Sequence, residues 1–199
     1  SLKAVALAAD AIRSGENDLV LAGGVEMMSR APHYAMDLRW GKKLGDSSMQ
    51  DAMFVDGLTD PLLKIGMGET AERIADKHGI TRAEQDAFAA LSQSRVAASR
   101  AALSRGIIPA GDLTEDEHPR ADATLESLAK LKPAFRKDGT VTAGNASGIN
   151  DGAALALLAS EEAVSRHGLK PKARIIASAA VGCDPALMGL GPVGAIQKV

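Results

Sequence analysis

The chain has 199 residues, of which 24% are charged and 3% are aromatic. With 23 basic and 25 acidic residues its net charge is −2, so neither charge nor base stacking favours nucleic acid as a partner. No apolar run approaches the about 20 residues of a membrane span, and the single cysteine, Cys183, cannot form an intrachain disulfide. These features predict a soluble, cytoplasmic α/β protein that binds neither nucleic acid nor membrane.

The first elements are a helix and a strand. Residues 2–13 are apolar on nearly all sides, which predicts a buried helix. Residues 18–24 predict a buried strand that runs into a glycine turn at Gly23 and Gly24. Residues 29–66 lack steady periodicity and contain several glycines and prolines, so we expect loops with short helices there.

A mostly helical stretch follows. Its pattern predicts helices over residues 68–77, 81–104 and 125–131, with irregular chain over residues 105–124. Thr81-Arg-Ala-Glu84 is a capping box and marks the start of the second helix.

Small residues dominate the segment Gly139-Thr-Val-Thr-Ala-Gly-Asn-Ala-Ser-Gly-Ile-Asn-Asp-Gly152. A short Thr/Val strand leads into glycines that let a ligand approach the main chain, and the Asn and Ser side chains offer hydrogen bonds. The remaining pattern predicts strand 153–159, helix 161–167, strand 173–181 and a last helix from residue 193. A strand–helix–strand return is typical of an α/β sheet.

The segment 139–152 resembles the signature of the thiolases, acyl-CoA acetyltransferases that make or cleave 3-ketoacyl-CoA. Other runs match that family in order, so the resemblance covers essentially the whole chain: Leu21-Ala-Gly-Gly-Val-Glu-Met-Met-Ser-Arg-Ala-Pro32, Asp56-Gly-Leu-Thr-Asp60, Met67-Gly-Glu-Thr-Ala-Glu72, Glu84-Gln-Asp-Ala-Phe88, Ala129-Lys-Leu-Lys-Pro-Ala-Phe135 and Met188-Gly-Leu-Gly-Pro192.

The resemblance implies a thiolase-like layered αβαβα core, present in part, with a long and mostly helical covering insertion. Residues 1–27 and 148–170 would belong to the N-terminal thiolase half. Residues 28–147 would form the covering loop domain, and residues 171–199 would begin the C-terminal half.

The resemblance also implies a coenzyme A site. Ser147 matches the serine that contacts the pantetheine amide, with Ala143 and Gly148 beside it in a narrow tunnel. Apolar contacts are expected from Leu58, Met67, Leu131 and Ala134. Arg120 matches an arginine near the nucleotide, where its guanidinium could stack on a purine and meet phosphate; the alternative is a solvated charge that balances Glu115, Asp116 and Glu117.

No catalytic residue is assigned within the chain. The resemblance places the nucleophilic cysteine just before Ser1, where the helix N-terminus would favour a thiolate, and the catalytic histidine and second cysteine beyond Val199. We therefore expect an incomplete chain that does not cleave acetoacetyl-CoA by itself. Cys183 is interpreted as a buried or half-buried structural thiol. His78 and His167 precede glycines at helix ends, and the histidines have no metal-site spacing.

Two departures from the family pattern bear on affinity and acyl preference. Gly66 stands where many relatives have a histidine before the methionine, which removes a ring and a possible donor from the pantetheine wall. The stretch 104–117 is short and lacks the expected basic hairpin, which weakens attraction for the 3′-phosphate.

Three hypotheses follow. The first is an acyl-CoA acetyltransferase that acts through an acyl-cysteine, with acyl-CoA and coenzyme A as substrates, no other cofactor or metal, and a homodimeric or homotetrameric full-length protein. The second is a thiolase-fold protein that binds acyl-CoA or lipid without catalysis. A β-ketoacyl synthase relative is disfavoured, because the covering insertion with Lys130-Leu-Lys-Pro-Ala-Phe135 resembles thiolases specifically.

Overall fold

The structure is a computed structural model that describes residues 1–199. In chain order its elements are α1 (Leu2–Arg13), β1 (Leu19–Glu26), β2 (His33–Tyr34), β3 (Gln50–Asp51), α2 (Met67–His78), α3 (Arg82–Leu103), α4 (Leu125–Ala129), β4 (Gly152–Ala159), α5 (Glu161–His167) and α6 (Gly191–Lys198). Shorter helical turns cover Met28–Arg30, Met53–Leu58, Ser104–Gly106 and Pro185–Leu190. None of the helices has the length and apolar character needed to cross a membrane.

The chain forms two compact units. The first comprises residues 1–31, 150–182 and 192–199, and the second comprises residues 32–149 and 183–191.

The first unit is built on a two-stranded sheet. Strand β1 pairs antiparallel with β4, in a register that runs from Leu19 opposite Ala159 to Glu26 opposite Gly152. Helix α1 packs on this sheet around a small core of Ala8, Ala9, Ala22 and Leu158. The helix over residues 2–13 and the two strands therefore form where the sequence pattern predicted them.

The predicted glycine turn after β1 is wrong, because the strand continues through Gly23 and Gly24 to Glu26. A Cβ atom on Gly24 would lie 2.6 Å from the Ser1 hydroxyl oxygen. The glycine is thus needed where the start of α1 crosses the strand, not for a turn.

The burial predicted for α1 is only partly correct. Ala8 and Ala9 face the sheet, whereas Leu2 is 86% exposed and Leu7 is 55% exposed. The far face of the sheet is likewise uncovered at Leu21 and Leu157. The apolar residues of these elements exceed what the first unit buries.

The predicted strand over residues 173–181 does not form. A strand needs a hydrogen-bonded neighbour, and this segment has none. Its backbone is instead held by Arg13, whose guanidinium donates to the carbonyl oxygens of Ile175 at 2.9 Å and Ile176 at 3.3 Å. The sheet therefore has no strand–helix–strand return.

The second unit is mainly helical, and its helix ends follow local signals. Helix α2 ends at His78 with Gly79 in the left-handed conformation (φ +65°). Helix α3 begins after Thr81, whose capping box with Glu84 is complete. Helix α4 is shorter than predicted, since it ends at Ala129.

Candidate functional site

The signature segment forms a closed turn within the second unit. The carbonyl oxygen of Thr142 accepts a hydrogen bond from the Asn145 backbone N–H at 3.3 Å. The Thr142 N–H in turn donates to the Asn145 side-chain oxygen at 2.7 Å. The Thr/Val strand predicted before this turn is reduced to one bridge between Thr142 and Pro133. We call residues 142–148 the bend.

The outer side of the bend is open. Ala143, Ser147 and Gly148 are all exposed, whereas Val141 and Thr142 beneath them are buried. The bend therefore presents three small residues on an accessible surface, above a buried Val141 and Thr142.

Leu131 lies against the bend. A Cβ atom placed on Gly144 would be 2.5 Å from a Leu131 methyl carbon and 2.6 Å from a Leu128 methyl carbon. Leu128 is buried, but Leu131 keeps 38% of its surface exposed. The structure thus brings Leu131 to the glycine that follows Ala143 and leaves part of the leucine free for contact.

Ala134 and Met67 are linked by the contact between their chain neighbours Phe135 and Gly68, and Ala134 is also hydrogen-bonded to the residue before the bend. The Ala134 N–H donates to the Val141 carbonyl oxygen at 2.9 Å. This hydrogen bond joins the chain that follows α4 to the residue that precedes the bend. The ring of Phe135 lies on Gly68, with ring atoms 2.1 to 2.3 Å from the place a Cβ would occupy. Ala134 and Met67 are the chain neighbours of these two residues.

Leu58 lies beside the start of α2. Thr59 forms a bridge with Gly66, and the Asp60 N–H donates to the Ile65 carbonyl oxygen at 2.8 Å. This short loop brings the end of the helical turn Met53–Leu58 back to the residue that precedes Met67.

Arg120 is not joined to the bend by any hydrogen bond. Its backbone N–H donates to the Gln93 side chain of α3 at 2.8 Å, and the residue is exposed. Its guanidinium makes no ion pair with the acidic residues that precede it, and Glu115 pairs with Arg100 instead. The guanidinium is therefore free to meet an anion. The binding roles of all eight residues stay predictions.

Two buried carboxylates were missed by the sequence analysis. Glu72 on α2 and Asp86 on α3 are buried, and both accept hydrogen bonds from the segment that contains the bend. Their positions were within motifs quoted for the family, Met67-Gly-Glu-Thr-Ala-Glu72 and Glu84-Gln-Asp-Ala-Phe88. The available signal was an acidic residue on a helix face shared with small residues such as Ala75.

Arg136 balances the negative charge of Glu72. Its guanidinium donates to Asp76 at 2.8 and 3.1 Å and to Glu72 at 3.5 Å. The hydrogen bond from Arg136 lowers the pKa of Asp76, and Asp76 in turn raises the pKa of Arg136.

Cys183 is exposed, which corrects the expectation of a buried thiol. It lies in irregular chain before Pro185, outside the helices and strands. Its thiol donates to the Met188 carbonyl oxygen at 3.8 Å and forms no hydrogen bond with a histidine. His78 and His167 are the last residues of α2 and α5, as predicted. No three His, Cys, Asp or Glu side chains converge in a metal-binding arrangement.

Known proteins of one family match nearly the whole chain. The model of the thiolase N-terminal domain family matches residues 1–162. The acetyl-CoA acetyltransferase of Allochromatium vinosum is 50% identical over an alignment of 208 residues including gaps, which covers 99% of this chain and 53% of that protein. The probable acetyl-CoA acyltransferase of Staphylococcus aureus (strain COL) is 45% identical over the same shares.

Solved structures give the same result. Human mitochondrial 3-ketoacyl-CoA thiolase in complex with CoA superimposes with a TM-score of 0.91 at 43% identity, covering 99% of this chain and 51% of that one. The acetyl-CoA acetyltransferase of Syntrophomonas wolfei gives a TM-score of 0.92 at 43% identity, covering all of this chain and 52% of that one.

The fold is thus the α/β fold of thiolases over the part that the chain spans. The chain belongs to the thiolase family. It spans about half the length of the curated relatives it matches.

Proposed function

We propose that this chain supplies the coenzyme A-binding part of an acyl-CoA acetyltransferase, which forms or cleaves 3-ketoacyl-CoA such as acetoacetyl-CoA. The observation that carries the proposal is the open bend with small residues on its surface and Leu131 against it. Membership of the thiolase family supports it, as does the human relative solved in complex with CoA.

The chemistry of the bend suits the pantetheine arm, which is slender and carries two amides. Ala143 and Gly148 leave room for the arm close to the main chain. The Ser147 hydroxyl can donate to or accept from an amide. Leu58, Met67, Leu131 and Ala134 would provide apolar contact for its methylene groups, and Arg120 a cation for phosphate.

The reaction itself would proceed by acyl transfer to a cysteine. A thiolate attacks the 3-keto carbonyl and takes the acyl group as the carbon–carbon bond of 3-ketoacyl-CoA breaks, and the departing carbanion takes up a proton and leaves as acetyl-CoA. The thiol of a second CoA then loses a proton and takes the acyl group, which frees the thiolate. Cys183 is not proposed as that nucleophile, because its thiol faces a carbonyl oxygen and has no base beside it. We propose no separate cofactor and no metal, and a homodimer or homotetramer as the working assembly.

Calorimetric titration of the chain with CoA tests the binding site. Ser147→Tyr places a ring on the bend and should weaken CoA binding at least about tenfold, because the ring would occupy the surface that is proposed to contact the pantetheine arm. Ser94→Tyr is the matched control, since Ser94 is exposed on α3 and makes no side-chain hydrogen bond. Equal affinity in Ser147→Tyr and wild type would refute the proposed site.

A non-catalytic protein that binds acyl-CoA is the second candidate, and CoA affinity alone does not separate the two. The product of the complete reading frame can be incubated with acetyl-CoA, digested and analysed by mass spectrometry. An acetylated cysteine outside residues 1–199 favours the acetyltransferase. Unmodified cysteines in a protein that binds CoA favour the second candidate.

A further inference from the structure

Glu72 joins α2 to the chain just before the bend. Its side chain is fully buried. Both carboxylate oxygens lie 2.9 Å from the Thr140 backbone nitrogen, and Oε1 also accepts from the Val141 N–H at 2.9 Å. Oε2 accepts from the Thr140 hydroxyl at 3.0 Å. Three donors from two consecutive residues therefore converge on one carboxylate, which fixes the backbone leading into Thr142.

Asp86 holds the other side of the bend. Its Oδ1 accepts from the Asn145 side-chain amide at 3.0 Å, and its Oδ2 accepts from Arg82 at 2.7 Å. The same Arg82 donates to the carbonyl oxygens of Leu128 at 2.6 Å and Leu131 at 3.0 Å. One carboxylate thus links the turn that carries Ala143 to the residue that lies against it.

No buried polar side chain in this region is left without a hydrogen-bond partner. The contacts of Glu72 and Asp86 attach α2 and α3 to residues 140–145, and Arg82 attaches α3 to residues 128–131, which lie against Gly144. The exposed residues of the bend make no such contacts of their own. Their position therefore depends on the carboxylates behind them.

We propose that Glu72 is a positioning residue for coenzyme A binding, which acts by holding Thr140 and Val141 so that the bend stays open, with Asp86 as its counterpart on the Leu131 side. This inference rests on the proposed function. Its specific content is that loss of the Glu72 contacts lowers CoA affinity beyond any effect on folding.

The test is the dissociation constant for CoA, measured by calorimetry on chains that circular dichroism shows to be folded. Glu72→Gln keeps one acceptor oxygen but loses the charge and the second acceptor. It should weaken binding about tenfold, because loss of a hydrogen bond to a charged group lowers by about that factor the fraction of molecules in which the bend can bind CoA. Glu72→Ala should weaken binding further. Thr140→Val removes the hydroxyl, which donates to Glu72 and accepts from Gln85, but keeps both backbone donors to Glu72. It should weaken binding about threefold, which provides a readout even if Glu72→Ala does not fold.

The control is Ala75→Gly. Ala75 is buried one turn along the same helix, and glycine there lowers helix stability without touching the bend. It should leave the dissociation constant unchanged. Wild-type affinity in folded Glu72→Gln, or equal weakening in Ala75→Gly, would overturn the proposal.

Hydrogen exchange separates this inference from the proposed function. If the wild-type chain does not bind CoA, the proposed function fails, and exchange at the amides of residues 140–147 still decides whether Glu72 holds the bend. Faster exchange there in Glu72→Gln than in Ala75→Gly supports positioning. Equal exchange in the two variants refutes it.

Discussion

Gly68 lies in the first turn of α2, where alanine would ordinarily be the better residue. Replacing a helical glycine by alanine gains about 0.5–1 kcal/mol of stability. Here the added Cβ would lie 2.1, 2.2 and 2.3 Å from three atoms of the Phe135 ring. These separations are far inside van der Waals contact, so the ring has to move and Gly68→Ala should destabilise the chain.

The size of the effect follows from two opposing contributions. Overpacking of this kind costs about 1–3 kcal/mol. Phe135 is 51% exposed, so its ring can swing outward and the cost should fall in the lower half of that range. After subtraction of the helix-propensity gain, we expect Gly68→Ala to lower the free energy of unfolding by about 0.75 kcal/mol, and by about 1.5 kcal/mol at most.

Urea denaturation of four chains measures this coupling: wild type, Gly68→Ala, Phe135→Ala and the double variant. In the Phe135→Ala background the clash is gone, so Gly68→Ala should raise the free energy of unfolding by about 0.5–1 kcal/mol. The sign of the effect therefore reverses between the two backgrounds. The same sign in both would show that the ring does not lie on Gly68.

Two further predictions concern α2 and α3. The pKa of Asp76 is lowered by its hydrogen bond from Arg136, so its stabilisation is present above the unfolded value of about 3.9 and is lost as the pH falls through the lower folded value. Thermal melts from pH 6 down to about pH 3 should therefore show a steeper loss of stability in the wild type than in Asp76→Asn; parallel curves would contradict this. Thr81→Ala removes the capping box of α3 and should cost about 1 kcal/mol in urea denaturation, whereas Thr114→Ala, at an exposed position outside any helix, should cost almost nothing.

Local chemistry made several elements predictable. The capping box of Thr81 and Glu84 marks the start of α3 because both partners lie within one helical turn. The glycines after His78 and His167 mark helix ends because glycine adopts the left-handed conformation at little cost. The family could be recognised for the same reason, since its motifs are short and contiguous.

Other features depended on contacts between distant parts of the chain. The segment 173–181 has the composition of a strand, but a strand forms only where a neighbour can accept and donate hydrogen bonds. The glycines of β1 suggested a turn, although Gly24 serves the close approach of Ser1 and Gly23 lies against Leu155 of the paired strand. In neither case does the local sequence carry the identity of the partner.

The candidate site shows the same division. The sequence by itself determined the family, the small residues of the bend and the helices around it, because composition and periodicity act over a few residues. The tertiary structure decided that Leu131 lies against Gly144 and that Phe135 covers Gly68. It also decided that Glu72 accepts hydrogen bonds from Thr140 and Val141, which follow it in the chain by 68 and 69 positions. Burial of that carboxylate is favourable only when those donors are in place, and only the folded chain brings them there.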